Sequence, residues 1–355
     1  MPMAKQPLNI RMLSSATSVD GQGVGSAYVE QVKLIQEQED LFRVYENREK
    51  MPKGQRNDIV HVHTVDPSWR MRMGKKTVNV IYVHFIPSTL DGSIKLPKFA
   101  FKVFKRYVIS TYKKADEIVV VNPTFIKPLV ELGCKEENIT YIPNYVSKEK
   151  FHPLEKEEIN ALKEKYEIPL DKFVVLGCGQ IQTRKGVMDF IRCAEALPDI
   201  QFVWAGGFSF GAITDGYNEL KKVMENPPRN VKFIGIIPRN EMNGIFNMSD
   251  VLFMPSLSEL MPMSILEAVN SSKAILLRDL DIYPDIFFED YAKANDVDGF
   301  VAELKKLSED KDYYKLYQDK ATHLSEFYSK EHVGSIWREY YPRIYDKWAP
   351  IKGIK

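Results

Sequence analysis

Two glutamates around the start of a predicted helix are well suited to binding a polyol. Glu259 lies in the loop after an apolar run of strand length, and seven residues separate it from Glu267, which follows the predicted helix start at about Ser264. Carboxylates accept hydrogen bonds from vicinal hydroxyl groups, so the pair could hold a sugar and a ribose. The backbone N–H groups of Met263 and Ser264 could take a phosphate. The alternative is a solvated loop residue and a helix surface charge.

Two adjacent cations follow an earlier apolar run. Arg184 and Lys185 lie in the segment GCGQIQTRKGVMDFI (177–191), just before Gly186 and a predicted helix. In a strand-to-helix loop, lysine offers a diphosphate a point charge and arginine offers it a planar fork of donors. A solvated basic turn would explain the same residues without a ligand.

A glycine-rich loop follows the first apolar run, with Gly21, Gly23 and Gly25 just before a helix predicted from about Ser26. Such a loop lets the backbone approach a ligand, and the helix N-terminus offers N–H groups to an anion. The dinucleotide fingerprint G-x-G-x-x-G is not met, because Ser26 occupies its third glycine position, and this disfavours a dehydrogenase. A tight turn without a ligand is the alternative.

Ten apolar runs of strand length, five in each half of the chain, must position these residues. Continuously apolar runs are typical of parallel strands covered on both faces, and their alternation with helix-like stretches predicts an α/β fold with two doubly wound domains. We expect domains over residues 1–150 and 151–335, and a helix over 336–355 that packs back on the first domain. Open α/β sheets bind ligands at the carboxyl ends of their strands. The runs are 8–15, 59–63, 78–85, 117–122, 139–144, 173–179, 200–207, 231–236, 251–256 and 274–279.

Cysteine usage and hydropathy bear on the compartment. The three cysteines are widely spaced and odd in number, which argues against a disulfide framework or a zinc site and favours a reducing compartment. We find no secretory signal pattern and no uninterrupted run of about 18 apolar residues. These features predict a protein that is soluble or lies on a surface.

The charge distribution predicts an anionic partner for the first half of the chain. Residues 1–150 carry 23 Lys and Arg against 16 Asp and Glu, and the remainder carries 26 against 32. The segment 95–114 forms a predicted helix with a basic face beside aromatic and aliphatic residues, the pattern of a helix that meets anionic lipid. A core-packed helix with a solvated basic face is the alternative. No nucleic-acid-binding module is evident. The residues predicted to meet the membrane or acceptor are Trp69, Arg70, Arg72, Lys98, Lys102, Lys105 and Arg106.

No metal site is expected. His61 and His63 lie two apart on one predicted strand, and a metal would need a third ligand, so satisfied polar side chains at a strand end are the preferred interpretation. Asp279 and Asp281 have the spacing of a metal-binding pair but lie in a late loop, where capping a turn explains them.

The order of these features resembles that of retaining family 4 glycosyltransferases with the GT-B fold. In the second half, the loop from Gly179 to Gly186 precedes the pair Gly206–Gly207, and the Glu-x7-Glu pair follows. In the first half, the resemblance includes GQGVGSAYVEQ, a strand ending at His84 and the run 115–146. Within the family, the chain most resembles bacterial glycolipid synthases that add a second sugar to monoglucosyldiacylglycerol. The family fold implies two Rossmann-like domains that face a central cleft, the first facing the membrane and presenting the acceptor, and the second binding the nucleotide sugar.

The resemblance implies a role for each matching residue. Lys185, with Arg184, would neutralise the leaving diphosphate, and Glu259 would bind the transferred hexose. Glu267 would hold the ribose, and His84 would lie near the reacting carbon. Many members carry arginine where this chain has Gln180. The catalytic residues would be His84, Lys185 and Glu259, and the remaining donor-binding residues would be Gly23, Val24, Gly25, Arg184, Ile237, Met261, Met263, Ser264 and Glu267.

The implied reaction moves glucose or galactose from its UDP-sugar to a glycolipid, with retention and without a cofactor or an essential metal. The protein would be peripheral on the cytoplasmic face of the membrane. Two alternatives remain open at this point: a family 4 enzyme with a soluble or polysaccharide acceptor, and a non-catalytic protein that binds a sugar nucleotide.

Overall fold

The computed structural model describes residues 6–16, 23–87, 97–208 and 214–354. It divides the chain into two compact units. Unit 1 comprises Met1–Tyr145 and Lys330–Lys355, and unit 2 comprises Val146–Ser329. The sequence-based boundaries lie at residues 150 and 335, a few residues after the two points where the chain passes between the units.

Each unit is built on a six-stranded parallel sheet, with strand order β2-β1-β3-β4-β5-β6 in unit 1 and β12-β11-β10-β7-β8-β9 in unit 2. All ten apolar runs contain strands, while β2 and β12 were not expected. The strands are β1 (Leu8–Leu13), β2 (Phe42–Glu46), β3 (Ile59–Val62), β4 (Val78–Val83), β5 (Glu117–Val120), β6 (Ile139–Tyr141), β7 (Val174–Cys178), β8 (Gln201–Ala205), β9 (Val231–Gly235), β10 (Val251–Met254), β11 (Ala274–Arg278) and β12 (Ala292–Ala294).

The helices connect the strands, as parallel pairing requires. Two starts differ slightly from the sequence prediction: the first helix begins at Gly23 and the ninth at Met263. The helices are α1 (Gly23–Gln36), α2 (Pro67–Arg70), α3 (Lys98–Tyr112), α4 (Ile126–Glu131), α5 (Lys156–Lys165), α6 (Val187–Ala196), α7 (Tyr217–Glu225), α8 (Met242–Asn247), α9 (Met263–Asn270), α10 (Pro284–Phe287), α11 (Val297–Glu309), α12 (Lys311–Phe327) and α13 (Lys330–Trp348).

An aromatic core fixes the central strand of unit 2. Phe190 on α6 packs edge-on against Trp204 on β8, with ring centroids 5.1 Å apart, and stacks on Phe253 of β10. Gly177 on β7 lies against this core, and a Cβ there would come within 2.3 Å of the Trp204 ring. The residue must therefore be glycine for β7 to keep its position beside β8, and the carboxyl end of β7 is held in place.

The C-terminal helix completes unit 1. Trp337 and Tyr341 on α13 are buried, and the Tyr341 hydroxyl lies 2.7 Å from His61 Nδ1 on β3. Farther along, Trp348 Nε1 donates to Glu117 Oε1 on β5 at 2.7 Å. The last helix therefore contributes core residues to the unit that the first 145 residues begin.

Candidate active site

Lys185 and Glu259 form a buried ion pair in unit 2. Lys185 Nζ lies 2.5 Å from Glu259 Oε1, and the exposed fractions of the two side chains are 13% and 6%. Arg184 Nη1 lies 3.6 Å from Glu259 Oε2 and donates to the carbonyl of Ser258. Both cations and the first glutamate predicted from the sequence therefore meet at one carboxylate.

Two glycines allow this arrangement. Gly186 has a φ of +68°, and a Cβ there would lie 2.2 Å from the Pro255 carbonyl oxygen, so only glycine lets the loop after β7 pack against the end of β10. The amide of Leu257 then donates to the Arg184 carbonyl at 2.8 Å. Gly179 has a φ of +132°, a conformation that favours glycine, and lies beside the aliphatic part of the Lys185 side chain. The loops that follow β7 and β10 are therefore joined where they carry their charges.

The cations keep Glu259 ionised. Burial by itself raises the pKa of a carboxyl group, but attraction to Lys185 and then to Arg184 outweighs burial and leaves the pKa of Glu259 below its ordinary value. The carboxylate is therefore a hydrogen-bond acceptor throughout the physiological pH range. It can accept hydrogen bonds from sugar hydroxyl groups.

A second buried glutamate has a cation that the sequence analysis missed. Glu267, on α9, accepts a hydrogen bond from Arg239, whose guanidinium also lies 5.2 Å from the centroid of the Phe151 ring. Arg239 lies in the loop after β9, and no spacing rule connects it to Glu267. The structure adds Arg239 to the candidate site.

Residues of both ion pairs affect the pKa of the thiol at the end of β7. Desolvation raises the pKa of the Cys178 thiol to about 12, Glu267 adds to the increase, and Lys185 and Arg239 oppose it. Cys178 is the last residue of β7. We define the charged cluster as Arg184, Lys185, Arg239, Glu259 and Glu267, which surround this strand end.

The start of α9 offers backbone donors. Its N-cap residue, Pro262, provides no side-chain hydrogen bond, and the first N–H groups of a helix lack intrahelical acceptors. Met261 and Met263 are buried, and the Ser264 hydroxyl donates to the sulfur of Met254. Near the end of β9, Ile236 is 70% exposed and Ile237 is half-buried.

His84 and the start of α1 line a pocket in unit 1. The pocket has a volume of about 420 Å³ and lies at the carboxyl ends of β1, β3 and β4. Val24, His63 and His84 contribute to its wall. Gly23 begins α1, Gly25 is buried, and Gly21 lies outside the described residues. The structure therefore brings the expected Val24 and His84 to one pocket and adds His63.

The expectation that His63 is a satisfied side chain is wrong. Neither of its ring nitrogens has a hydrogen-bond partner among the described residues, and the same holds for His84 Nε2. The His63 and His84 rings stack with centroids 5.8 Å apart, because they follow the adjacent strands β3 and β4. No group of three potential metal ligands occurs in the described part of the chain.

Comparisons with known proteins decide the family. Residues 158–324 match the family model for glycosyl transferases group 1, and residues 36–150 match the model for glycosyltransferase family 4. The chain is 42% identical over 348 residues to an alpha-galactosylglucosyldiacylglycerol synthase of Streptococcus pneumoniae, covering 96% of this chain and 91% of that protein. The chain belongs to glycosyltransferase family 4.

Two further likenesses agree with this glycosyltransferase assignment. The chain is 26% identical over 274 residues to a processive diacylglycerol alpha-glucosyltransferase of Acholeplasma laidlawii, covering 74% of this chain and 81% of that protein. Its fold resembles that of Anabaena HepE in complex with UDP and glucose, with a TM-score of 0.73 at 14% identity, covering 94% and 98% of the two chains. The predicted GT-B fold and enzyme class are confirmed, and the dehydrogenase alternative is excluded.

Two residues of the expected membrane surface of this glycosyltransferase bond to neighbouring side chains instead, Trp69 as a buried residue and Arg70 as a half-buried one. Trp69 is buried, and its Nε1 donates to Ser15 Oγ at 2.8 Å. Arg70 Nη1 donates to Ser110 Oγ at 2.5 Å and to Thr111 Oγ1 at 3.1 Å. Aromatic and basic residues next to each other resemble an interfacial pattern in sequence, but these two attach α2 to its neighbours and are not available to a membrane.

Helix α3 of the glycosyltransferase has an exposed face that is both basic and apolar. Phe99 and Val103 are 81% and 50% exposed, and Lys102 and Arg106, on the same face, are exposed as well. The Lys105 ammonium lies over the Phe101 ring, 4.7 Å from its centroid, and the Lys98 side chain lies outside the described part. Before α3 in the chain, Met71 is 77% exposed beside the exposed Arg72. Of the helices that the structure describes, none is long and apolar enough to cross a bilayer.

Proposed function

We propose that this protein transfers glucose or galactose from its UDP-sugar to monoglucosyldiacylglycerol, with retention of configuration, at the cytoplasmic face of the membrane. The observation that carries the proposal is the ionised Glu259 between Lys185 and Arg184 at the ends of β7 and β10. In a family 4 chain, this cluster has the positive charge for a diphosphate and an acceptor for hexose hydroxyls. The Streptococcus pneumoniae relative is named for a diacylglycerol glycolipid product, which supports the choice of acceptor.

The cluster favours catalysis by positioning and electrostatics. The bond between the anomeric carbon and the phosphate oxygen breaks, and the acceptor hydroxyl oxygen bonds to the same face of that carbon. The hydroxyl proton passes to the departing phosphate oxygen. Lys185 and Arg184 stabilise the charge that develops on the diphosphate, since they are already fixed in position before the reaction.

Glu259 and Glu267 orient the two ends of the donor in this proposal. Glu259 accepts hydrogen bonds from the transferred hexose while its charge holds Lys185 in place. Glu267, oriented by Arg239, accepts hydrogen bonds from the ribose hydroxyls. The backbone donors at the start of α9 point to a phosphate contact, because a helix N-terminus favours an anion.

A screen of donors and acceptors tests this function. We expect product from monoglucosyldiacylglycerol in mixed micelles with UDP-glucose or UDP-galactose, and NMR of the product identifies the sugar, the linkage and the anomeric configuration. Equal turnover with a free glucoside would indicate a soluble acceptor instead. Binding of a UDP-sugar without turnover on any lipid acceptor would indicate a non-catalytic protein.

The exposed face of α3 supports membrane docking. Interfacial helices place apolar side chains in the acyl boundary, and each cation near an anionic surface contributes about 1 kcal/mol. Phe99 and Val103 suit the first role, and Lys102 and Arg106 suit the second. We expect salt-sensitive sedimentation with phosphatidylglycerol vesicles.

Charge reversal tests the docking face. The double variant Lys102→Glu/Arg106→Glu should bind phosphatidylglycerol vesicles at least tenfold more weakly, because two attractions become repulsions. The matched control Lys50→Glu/Lys53→Glu reverses two exposed charges elsewhere in unit 1 and should bind more strongly than the α3 variant. Equal binding to neutral vesicles at high salt would contradict the electrostatic part. The membrane face is checked by protease accessibility, since a protein degraded in sealed, right-side-out cells cannot lie on the cytoplasmic side.

A further inference from the structure

One arginine outside the charged cluster bonds to three chain segments around it. Arg278 is the last residue of β11, and the exposed fraction of its side chain is 11%. Its Nε donates to the Pro255 carbonyl at 3.0 Å, and its two terminal nitrogens donate to the Asn295 carbonyl and to Asp189 Oδ2. Pro255 follows β10, Asn295 follows β12, and Asp189 lies in the first turn of α6, the helix after β7. One guanidinium therefore joins segments that follow four neighbouring strands of the sheet.

This bonding pattern depends on the shape of the guanidinium. The group directs its N–H donors along fixed directions in one plane, so it can bond a carboxylate and two carbonyls at the same time. The Asp189 carboxylate compensates the positive charge of Arg278. The Phe300 ring lies against the guanidinium, with its centroid 5.1 Å from Arg278 Cζ. The side chain is therefore held in a single position by groups of unit 2.

Two of the three partners adjoin the ion pair of the charged cluster. The Pro255 carbonyl packs against Gly186, the residue after Lys185, and Pro255 also begins the loop that carries Glu259. Asp189 lies three residues after Gly186, on the helix into which the lysine loop continues. The same guanidinium therefore bonds both chain segments whose side chains form the ion pair.

The positions of these two segments matter for the reaction. Fixed charges stabilise a transition state because they need not reorganise, and a misplacement of about 1 Å can lower the rate about 100-fold. The three hydrogen bonds of Arg278 are all made to protein atoms. Its contribution to catalysis would consequently be made through Lys185 and Glu259.

We propose that Arg278 is a positioning residue of the donor site. Its guanidinium holds the loop that carries Lys185 and the loop that carries Glu259 in the relative position that transfer requires. The inference rests on the proposed function, because it assumes that the ion pair acts on the sugar nucleotide.

The variant Arg278→Ala tests this role when it is assayed well below its melting temperature. We expect kcat to fall by about tenfold to 100-fold, because the ion pair loses its position relative to the reacting bond. The dissociation constant of UDP, measured by calorimetry, should change by less than about threefold, since Glu267 and Arg239 at the ribose end keep their contact.

The double variant Arg278→Ala/Lys185→Ala separates positioning from general structural support. If Arg278 acts through the ion pair, its removal should lower kcat by less than about threefold once Lys185 is absent, since residues that act as a unit are not additive. A loss of kcat as large as that in the wild-type background would overturn the inference.

Asn230→Ala is the matched control. The Asn230 amide also donates to three partners, the carbonyls of Ala194, Leu197 and Ile200, but it does so where β8 and β9 begin. This variant should lower the melting temperature and leave the kcat of the folded protein unchanged. An equal loss of kcat in Asn230→Ala and Arg278→Ala would overturn the inference, because any loss of stability in unit 2 would then suffice.

The remaining outcomes also decide the question. A wild-type kcat in folded Arg278→Ala would overturn the inference. If Arg278→Ala does not fold, the milder variant Asp189→Asn replaces it: a lowered kcat supports the inference, whereas a wild-type kcat or a failure to fold overturns it. Absence of wild-type turnover on any glycolipid would overturn the proposed function instead. The two failures are distinguishable, because the ratio of variant to wild-type kcat can also be measured from hydrolysis of the UDP-sugar by water.

Discussion

The charged cluster of unit 2 and the pocket of unit 1 that His63 and His84 line lie at equivalent ends of two parallel sheets, but their buried polar groups differ. The cluster contains buried charges that are paired with one another, such as Lys185 with Glu259. The pocket contains buried neutral rings, such as His63, with nitrogens that have no described partner. The contrast follows from the cost of burial, because a buried charge without a partner is far more costly than a neutral polar group without one.

The contrast also suggests how each site works. Charges fixed by their partners can stabilise the charge that develops on a diphosphate without reorganising. The rings of His63 and His84 are kept neutral by burial, which lowers the pKa of each, so they offer no such charge. Four predictions follow, from the largest expected effect to the smallest; the first three test this difference, and the fourth tests the edge of the proposed membrane surface.

Removing the Lys185 ammonium from the charged cluster should have the largest effect. We expect Lys185→Ala to lower kcat/KM for the UDP-sugar by about 10²–10³-fold, the usual loss for a preorganised electrostatic contact. It should also lower stability, by up to about 3–5 kcal/mol, because Glu259 is left buried with weaker compensation. Steady-state kinetics and thermal melts measure the two effects.

Lys165→Ala is the control for that variant, because Lys165 pairs with Glu241 at the exposed surface of the same unit. It should leave both kinetics and stability nearly unchanged. Wild-type kinetics in Lys185→Ala would remove the charged cluster from the mechanism.

Arg239→Ala tests the second pair of the cluster. Glu267 loses the guanidinium that orients it, so we expect the KM for the UDP-sugar to rise about tenfold, in line with a lost charge-assisted hydrogen bond. The kcat should change less, since Arg239 is assigned to the ribose end of the donor. Arg192→Ala, which breaks an exposed pair with Asp189, is the control. A fall in kcat with no change in KM would place Arg239 near the reacting bond instead.

Acidification should separate the two regions through stability. Burial lowers the pKa of His61 to about 3 and that of His84 to about 4, so the unfolded chain takes up protons at these sites first as the pH falls. Their folding contribution is therefore complete above about pH 6.5 and is lost below it, by roughly 1.4 kcal/mol per histidine and pH unit. The pKa of Glu259 is also lowered, but its contribution is present above about pH 4.5 and is lost only below that.

Thermal melts between pH 7 and pH 5 measure this difference. The melting temperature should fall over a range in which Glu259 stays ionised, because the pKa of its carboxyl group is lowered. His63→Phe should reduce the slope, because it replaces one of the buried imidazoles with a ring that does not titrate. A melting temperature that is flat from pH 7 to pH 5 would contradict the view of the pocket as a neutral, buried site.

Arg70→Ala should have the smallest effect and addresses the edge of the proposed membrane surface. Its guanidinium bonds Ser110 and Thr111, so we expect a stability loss of about 1–2 kcal/mol and unchanged vesicle binding. Arg72→Ala removes an exposed cation and should weaken vesicle binding slightly without a change in melting temperature. If Arg70→Ala weakened vesicle binding instead, and Arg72→Ala lowered the melting temperature, Arg70 would belong to the membrane surface.

Strands were predictable from the sequence where burial on both faces made them uniformly apolar. The unexpected strands have other patterns: β2 reads FRVYE, with charged residues at two positions, and β12 is only three residues long. An edge strand is covered less completely than a central one, so its sequence need not be apolar throughout. The elements that carry the candidate sites are central strands, and these were expected.

Site residues were predictable from the sequence where the chemistry of the side chain itself suggested a role. Lys185 and Glu259 were chosen for their chemistry, and they meet across 74 residues because β7 and β10 are neighbours in the sheet. Arg239 was missed because its partner lies 28 residues away, with no local pattern to link them. The meeting of His63 with His84 depends on strand order, which the sequence alone did not provide.

The route of the chain has a consequence for synthesis. Unit 1 begins with the first residues but receives α13, with Trp337 and Tyr341, only after all of unit 2 has been made. During translation, the sheet of unit 1 therefore lacks α13 until all of unit 2 has been synthesised. His61 and its apolar neighbours stay uncovered during this time. Chaperone capture of nascent chains should be strongest in this interval and should end when α13 emerges from the exit tunnel.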